Sequence, residues 1–399
     1  MDGVKGAGLT RRGLLAGIGS TAVAAGLGAC GAEPAPKPAT SGSPGPGTPS
    51  ASTGTNETAL RRKIAGMLVV GFRGDRVGPD DWITRAVRES GVGGVILFDK
   101  DQLTGGTRNI TSPEQVTALI RALREAAPGR RLIVSVDQEG GQVARLGPAN
   151  GFPATRSQAQ IGALNSPEVT RGWAEDMAAT LVRIGVNFTF TPDVDIAVNP
   201  TNPAIALLDR SFSANADVVV SCATEAVRAY RKAGVRTSIK HFPGFGSATG
   251  NTDFETVDVT DTWTRAELEP FRRMVAAGSV DTVMVTHLLN RQLDPQRPAS
   301  LSRAVVTDLL RGELGWDGVV VTDDMQAEAI SRHYGRDEAV GLALEAGVDQ
   351  LVFCNQAAYD PAVVEATVGA VVGLVRQGRI SEARIDRSVA RITALWPPN

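Results

Sequence analysis

The sequence predicts a (β/α)8 TIM barrel as a single catalytic domain, and three observations support this. Over residues 58–397, short apolar or β-branched runs alternate with longer amphipathic segments, as they do in β/α units. The runs number eight and are largely apolar, which is typical of parallel strands that are covered on both faces. Polar residues follow nearly every run, at the end where barrel enzymes place their sites.

The predicted elements alternate in order along the chain. Strands are predicted at residues 67–72, 94–98, 132–136, 187–191, 237–240, 282–286, 318–322 and 350–353. Amphipathic helices are predicted at 113–127, 166–184, 214–233, 265–277, 303–313, 338–346 and 361–378.

The ends of these strands favour a closed barrel over an open sheet. The polar residues at these ends are Asp99, Asp137, Asp193, Lys240 with His241, His287, Asp323 and Asn355. A doubly wound sheet would gather its ligand residues at one switch point, behind a glycine-rich phosphate loop. The sequence Arg-Gly-Asp-Arg at 73–76, which follows the first strand, is not such a loop.

Residues 1–29 have the pattern of an export signal. Basic residues precede an apolar run at 14–29, which is short for a membrane span of about 20 residues. Thr-Arg-Arg-Gly-Leu-Leu at 10–15 resembles a twin-arginine signal, and Leu-Gly-Ala-Cys at 27–30 resembles a bacterial lipobox, which would place a lipid on Cys30. An uncleaved anchor helix with an incidental cysteine is the alternative. Both interpretations predict an exported protein, and the first predicts a lipid anchor in the cell membrane, facing the cell wall.

Residues 30–57 predict a flexible linker, because they are rich in Pro, Ser, Thr, Gly and Ala and almost free of large apolar side chains. The folded domain is therefore expected at 58–399. Cys222 and Cys354 lie in apolar runs, where thiols pack as small hydrophobes, so a bridge between them is not expected.

The charge and the histidine content exclude several classes of protein. The net charge is −2 and the charged residues are interspersed, so no nucleic-acid partner is expected. The chain has three histidines and neither a His-Glu-x-x-His nor a Walker motif, so neither a metal nor another cofactor is predicted. We expect a monomer.

Two segments carry candidate chemistry. Asp323 and Asp324 close the seventh predicted strand, and only one of two adjacent side chains on an extended strand can face the barrel axis. Asp323 is the candidate nucleophile or general base, and capping of the next helix is the alternative. Lys-His-Phe-Pro-Gly at 240–244 holds two donors on a rigid turn, which suits the oxygens of a polar ligand. The alternative is that Lys240 only neutralises a barrel carboxylate.

Four segments together resemble the signatures of glycoside hydrolase family 3 β-N-acetylglucosaminidases. They are Asp-Gln-Glu-Gly-Gly at 137–141, Leu-Asp-Arg-Ser-Phe at 208–212, Lys-His-Phe-Pro-Gly at 240–244 and Thr-Asp-Asp-Met at 322–325. They stand in the family's order, and the likeness spans about residues 61–392. The resemblance implies a retaining exo-β-N-acetylhexosaminidase that removes terminal N-acetylglucosamine, with peptidoglycan fragments as the expected substrate.

The resemblance also implies roles for individual residues. Asp323 would attack the anomeric carbon and form a covalent glycosyl-enzyme, as a retaining mechanism requires. The residues that the resemblance expects to hold the sugar's hydroxyls are Asp137, Arg145, Arg210, Lys240 and His241. His287 is added as a substrate-binding candidate because it ends the sixth predicted strand and could line the pocket, and a structural hydrogen-bonding role is its alternative. His333 is expected at the surface.

One segment departs from the family pattern. Asn251 and Asp253 stand where the family has the Asp and His of its acid/base pair. Asp253 is therefore the candidate acid/base and Glu255 the second choice, because a desolvated carboxylic acid can protonate a leaving oxygen. A polar turn without catalytic function is the alternative.

Three other functions remain open at this point. The chain could be a β-glucosidase or xylosidase of the same family, a phosphorolytic enzyme, or a sugar-binding lipoprotein whose catalysis is impaired by the missing His.

Overall fold

A computed structural model describes residues 52–396, in which eight parallel strands close into a barrel. The strands are β1 (Leu68–Gly71), β2 (Gly94–Leu97), β3 (Ile133–Val136), β4 (Gln138–Gly140), β5 (Val143–Ala144), β6 (Phe188–Thr189), β7 (Arg236–Phe242), β8 (Thr282–Val285), β9 (Val319–Asp324) and β10 (Gln350–Phe353). The barrel order is β1-β10-β9-β8-β7-β6-β3-β2, and β4 and β5 form a separate antiparallel hairpin. The predicted fold class is confirmed, with a strand at each of the eight predicted positions.

Helices cover the outside of the barrel. They are α1 (Ser52–Ala65), α2 (Trp82–Arg85), α3 (Pro113–Glu125), α4 (Gln158–Leu164), α5 (Pro167–Ile184), α6 (Ala216–Lys232), α7 (Glu269–Ala276), α8 (Glu328–Ser331), α9 (Arg336–Ala346), α10 (Val363–Arg376) and α11 (Glu382–Ala394). Two π-helical segments, Ala86–Ser90 and Ala304–Glu313, complete the shell. Local sequence sets several helix starts: Ser112 and Ser166 each cap a helix whose first residue is proline.

Successive strand residues face different parts of the core. Val69 of β1 and Ile96 of β2 belong to a small cluster within the barrel, whereas their neighbours Val70 and Val95 pack in the larger cluster against the helices. This two-sided burial explains why the strands read as continuous apolar runs.

The start of the folded domain differs from the prediction. Helix α1 begins at Ser52, inside the segment 30–57 that was expected to be a linker. Leu60 and Ile64 anchor the helix in the core, and their packing lets the helix extend into a segment whose composition alone predicts a linker. The predicted signal at 1–29, Cys30 and the linker up to residue 51 lie outside the described residues.

The remaining chain-wide predictions concern cysteines and membranes. Cys222 and Cys354 are both free, as expected. Between residues 52 and 396, no helix has the length and apolar character needed to cross a bilayer.

At the amino end of β10, one buried carboxylate gathers three arginines. Asp349 is fully buried, and its oxygens lie 2.6 Å from Arg311, 3.4 Å from Arg384 and 3.2 Å from Arg391. The hydroxyl of Ser388 donates to the same carboxylate at 2.7 Å. The cluster therefore ties α11 and the second π-helical segment to the end of the barrel opposite the carboxyl ends of the strands.

We expect Asp349→Asn to lower the free energy of unfolding by about 3 kcal/mol, because the three arginines lose their shared counter-charge in a buried place. Denaturant unfolding measures the change. Glu365→Gln, which breaks the exposed pair with Arg61, is the control and should cost less than about 1 kcal/mol. Equal stability of the two variants would contradict the assignment.

Candidate active site

A cavity of about 550 Å³ opens at the carboxyl ends of the barrel strands. This volume lies within the usual range for small-molecule sites. Seven of the eight predicted catalytic and sugar-binding residues line it: Asp137, Arg145, Arg210, Lys240, His241, Asp253 and Asp323. A separate groove of about 510 Å³ runs along α5 beside Trp173, but it contains none of these seven.

Two buried cations in the cavity share one buried carboxylate. Glu139, on the hairpin strand β4, accepts two hydrogen bonds from the guanidinium of Arg210, at 2.8 and 2.9 Å. The ammonium of Lys240 lies 2.7 Å from the same carboxylate. Glu139 stands within a segment that the sequence singled out, but it was not predicted as a site residue.

The three charges stabilise one another. Burial disfavours the charged form of each group, but Arg210 and Lys240 lower the pKa of Glu139, and Glu139 in turn raises the pKa of both cations. All three groups are therefore ionised at neutral pH. Lys240 does pair with carboxylates, as the alternative interpretation held, and it also reaches the cavity wall.

Asp137 and Arg145 form a looser pair at the same wall. A guanidinium nitrogen of Arg145 lies 3.5 Å from Asp137, and the ammonium of Lys240 donates to Asp137 at 3.3 Å. The Arg145 guanidinium also lies over the ring of Phe98, 5.5 Å from its centroid. Because Asp137 and Arg145 remain partly exposed to the cavity, both can hydrogen bond to a ligand.

His241 is held as a neutral ring. Burial and the charge of Arg210 lower its pKa to about 4. Its Nδ1 therefore donates to Asp195 at 2.7 Å, while Nε2 accepts from Arg210 at 3.2 Å.

Burial raises the pKa of Asp195 to about 7, although the backbone N–H groups of Phe245 and His241 act in the opposite direction. Asp195 was not predicted as a site residue, because it does not follow a strand directly.

The spacing of Asp193, Asp195 and His241 is that of a possible metal site, because one ligand atom from each lies within 4.8 Å of the others. However, Arg210 approaches to 3.7 Å from Asp193 and to 3.2 Å from His241. The guanidinium already supplies positive charge there, and it would repel a metal cation.

Asp323 is a carboxylate on the cavity wall at the end of β9. Burial opposes its ionisation, but the rings of His287 and His241, the backbone N–H of Asp324 and the ammonium of Lys240 lower its pKa. The N–H of Asp324 donates to its Oδ1 at 2.8 Å. An ionised carboxylate that is held by donors is suited to attack an electrophilic carbon.

Asp324 also lines part of the cavity, although its side chain is bound to the neighbouring backbone. The pairing of β9 with β10 is irregular at this point, so the regular alternation of the strand is lost. The Oδ1 of Asp324 accepts the backbone N–H groups of Gln326 and Cys354, and burial raises its pKa to about 7.

Asp253 lies in the loop that follows β7 and reaches the cavity from its exposed side. Desolvation by the surrounding protein atoms and the negative charge of Asp323 raise the pKa of Asp253 to about 6, while the residue itself stays exposed at the mouth of the cavity. Its backbone N–H donates to the side chain of Asn251 at 2.9 Å, so the segment is also a polar turn. Glu255, the second choice for the acid, does not line the cavity; its carboxyl group packs over Gly250.

His287 does not line the cavity, where it was expected, and its contacts fit the structural role that was its alternative. Its Nε2 donates to the carbonyl of Asp324 at 2.8 Å, and its Nδ1 accepts from the hydroxyl of Ser300 at 2.7 Å. The ring is buried, with both nitrogens used inside the protein, so it supports the end of β9.

Comparisons with known proteins agree on one family. Residues 59–395 match the model of the glycosyl hydrolase family 3 N terminal domain. A "Beta-hexosaminidase" of Tolumonas auensis is 33% identical over 291 residues, which cover 70% of this chain and 80% of the relative.

Two solved structures are similar in fold as well as sequence. A β-N-acetylglucosaminidase of this family from Paenibacillus is 37% identical with a TM-score of 0.76, covering 84% of this chain and 62% of that one. A β-N-acetylhexosaminidase from Beutenbergia cavernae is 32% identical with a TM-score of 0.73, covering 84% of this chain and 97% of that one.

Proposed function

The chain belongs to glycosyl hydrolase family 3, and we propose that it is a retaining exo-β-N-acetylglucosaminidase. The observation that carries the proposal is the pairing of an ionised Asp323 with a raised-pKa Asp253 in one cavity. Two carboxyl groups with opposite pKa shifts are the arrangement that a retaining glycosidase needs. The names of the relatives support an N-acetylhexosaminide substrate.

In the first step, a carboxylate oxygen of Asp323 attacks the anomeric carbon while the bond to the leaving oxygen breaks. The carboxyl group of Asp253 transfers its proton to that oxygen. In the second step, Asp253, now a carboxylate, takes a proton from water, and the water oxygen displaces Asp323 from the anomeric carbon. The hemiacetal is released with its β configuration retained.

The cations and their neighbours would hold the sugar ring. Lys240 and Arg210 present fixed donors, while Asp137 presents an acceptor that is partly exposed to the cavity. Arg145 and His241 complete the polar wall. Hydrogen bonds from such fixed groups stabilise the transition state without reorganisation, because the protein has already paid for their orientation.

We further propose that the enzyme is lipidated on Cys30 and acts outside the cytoplasm on peptidoglycan fragments. The signal-like segment 1–29 supports this, because an exported, membrane-anchored enzyme would lie beside the cell wall, whose glycan contains N-acetylglucosamine. Membrane fractionation of the Cys30→Ala protein tests the anchor, since release into the soluble fraction is expected and unchanged association would refute it.

The substrate class is tested with nitrophenyl glycosides. We expect kcat/KM for the N-acetyl-β-glucosaminide to exceed that for the β-glucoside by at least about 100-fold. A site that binds the N-acetyl group has polar groups that pair with its amide, and these groups stay unpaired when the glucoside presents a hydroxyl in its place. Preference for the glucoside or xyloside would establish the other substrate class. When the reaction is run with added phosphate, the product should still be the free sugar. Formation of a sugar phosphate would show phosphorolysis instead.

The nucleophile is tested by covalent trapping. A 5-fluoro N-acetylglucosaminyl fluoride should label the peptide that contains residues 322–324, because the fluorine slows the second step and the ester on Asp323 accumulates. Mass spectrometry of the digest locates the label. Labelling of another peptide, or an inverted product, would remove Asp323 from this role.

The acid is tested through the leaving group. Asp253→Ala should lose about 10² to 10⁴ in rate on a disaccharide, which needs protonation, and far less in the cleavage of a dinitrophenyl glycoside, which does not. In the wild type, kcat/KM for the disaccharide should fall as the pH rises through about 6, because Asp253 must be protonated to act as an acid. Glu255→Ala is the matched control. A wild-type disaccharide rate in Asp253→Ala would refute the assignment.

A further inference from the structure

Two backbone hydrogen bonds connect the loop that carries Asp253 to helix α8. The N–H of Glu328 donates to the carbonyl of Asp253 at 3.2 Å, and the N–H of Ala329 donates to the carbonyl of Thr252 at 3.1 Å. Glu328 and Ala329 are the first two residues of α8. The first N–H groups of a helix have no partner within the helix, so they are free to bind another segment.

Helix α8 also stands next to the nucleophile in the chain. Strand β9 ends at Asp324, and only residues 325–327 separate it from the helix. The carbonyl of Asp324 accepts the N–H of Ala327, which fixes the short connection. The helix is therefore rigidly joined to the strand that carries Asp323 and, through its free N–H groups, to the loop that carries Asp253.

The loop is closed by its own contacts as well. The carbonyl of Asn251 accepts the N–H groups of both Phe254 and Glu255, at 3.1 Å each. Thr252 is buried. Further along, the hydroxyl of Thr256 and the Nε2 of His333 are 2.6 Å apart, and His333 lies just after α8.

We propose that helix α8 and His333 position the carboxyl group of Asp253 relative to Asp323. This inference rests on the acid role of Asp253 proposed above. Glu328 acts through its backbone N–H, and His333 acts through Thr256, so both are positioning residues.

The sharpest test removes one N–H. Proline is favoured at the first position of a helix, and Ala327 already has the ψ of 146° that a residue before proline adopts. Glu328→Pro therefore deletes the donor to Asp253 while the helix start is kept. Glu328→Ala is the comparison, because it loses the same side chain and retains the N–H.

A second proline controls for the substitution itself. Glu382 is the first residue of α11, after Ser381 with a ψ of 150°, and it lies outside the cavity. Glu382→Pro should leave the ratio of disaccharide to dinitrophenyl glycoside cleavage rates at the wild-type value. Comparing the thermal unfolding curves of Glu382→Pro and Glu328→Pro shows whether the two proteins are equally folded.

We expect Glu328→Pro to lower that rate ratio about tenfold relative to Glu328→Ala, because a misplaced acid fails only where protonation is required. Hydrogen exchange of the Ala329 amide should become faster in the same variant. His333→Ala should lower the ratio about threefold, since it removes a single exposed hydrogen bond, and His333→Gln should restore part of the loss.

Three outcomes would overturn the inference. An unchanged ratio in both Glu328→Pro and His333→Ala would show that the acid does not depend on α8. Equal losses on both substrates would show general damage without any effect on the acid. If Asp253→Ala loses the same rate on the disaccharide and on the dinitrophenyl glycoside, the acid role of Asp253 is refuted. The Asp253 variant alone shows that failure, before α8 is altered.

Discussion

The candidate site depends on a charge balance inside the barrel. Lys240 is buried and Arg210 largely so, and the carboxylate of Glu139 supplies the largest share of the negative charge that offsets their burial. Glu139 is delivered by the hairpin β4–β5, so the hairpin must fold over the barrel mouth. Gly140 permits this fold: its φ is +92°, and a Cβ would meet the carbonyl of Arg156 at 2.2 Å. The backbone of the hairpin is therefore constrained by the need to bring Glu139 to Lys240 and Arg210.

A second constraint separates the protonation states of the carboxyl groups. Asp323 is surrounded by donors that lower its pKa, whereas Asp253 faces protein atoms and the charge of Asp323, which raise its pKa. The charge of Asp323 therefore contributes to the raised pKa of Asp253. In the mechanism that we propose, this proximity would allow Asp253 to replace the histidine of the family pattern, because the negative charge of Asp323 keeps Asp253 protonated closer to neutral pH.

The predicted site residues that line the cavity share one property, which is a place at or near the carboxyl end of a strand or in the loop that follows it. Parallel strands of a closed barrel bring these ends together whatever lies between them. Glu139 and Asp195 were missed because their importance comes from partners on other strands, Arg210 and His241. His287 follows a strand too, but its ring turns into the protein and bonds Ser300. The position of a residue in the sequence predicts that it lies at the end of a strand, but it does not predict which way its side chain points once the regular strand has ended.

The sequence by itself determined the barrel, its eight strands and the family, because apolar periodicity and contiguous motifs are local properties of the chain. Only the tertiary structure decided which charges are paired, which aspartates have a raised pKa and which helix contacts the loop that carries Asp253. Asp253 and Glu328 are 75 positions apart, and no local pattern encodes their hydrogen bond. Ionisation likewise depends on burial and on charges from several strands, whose distances are set only when the barrel closes.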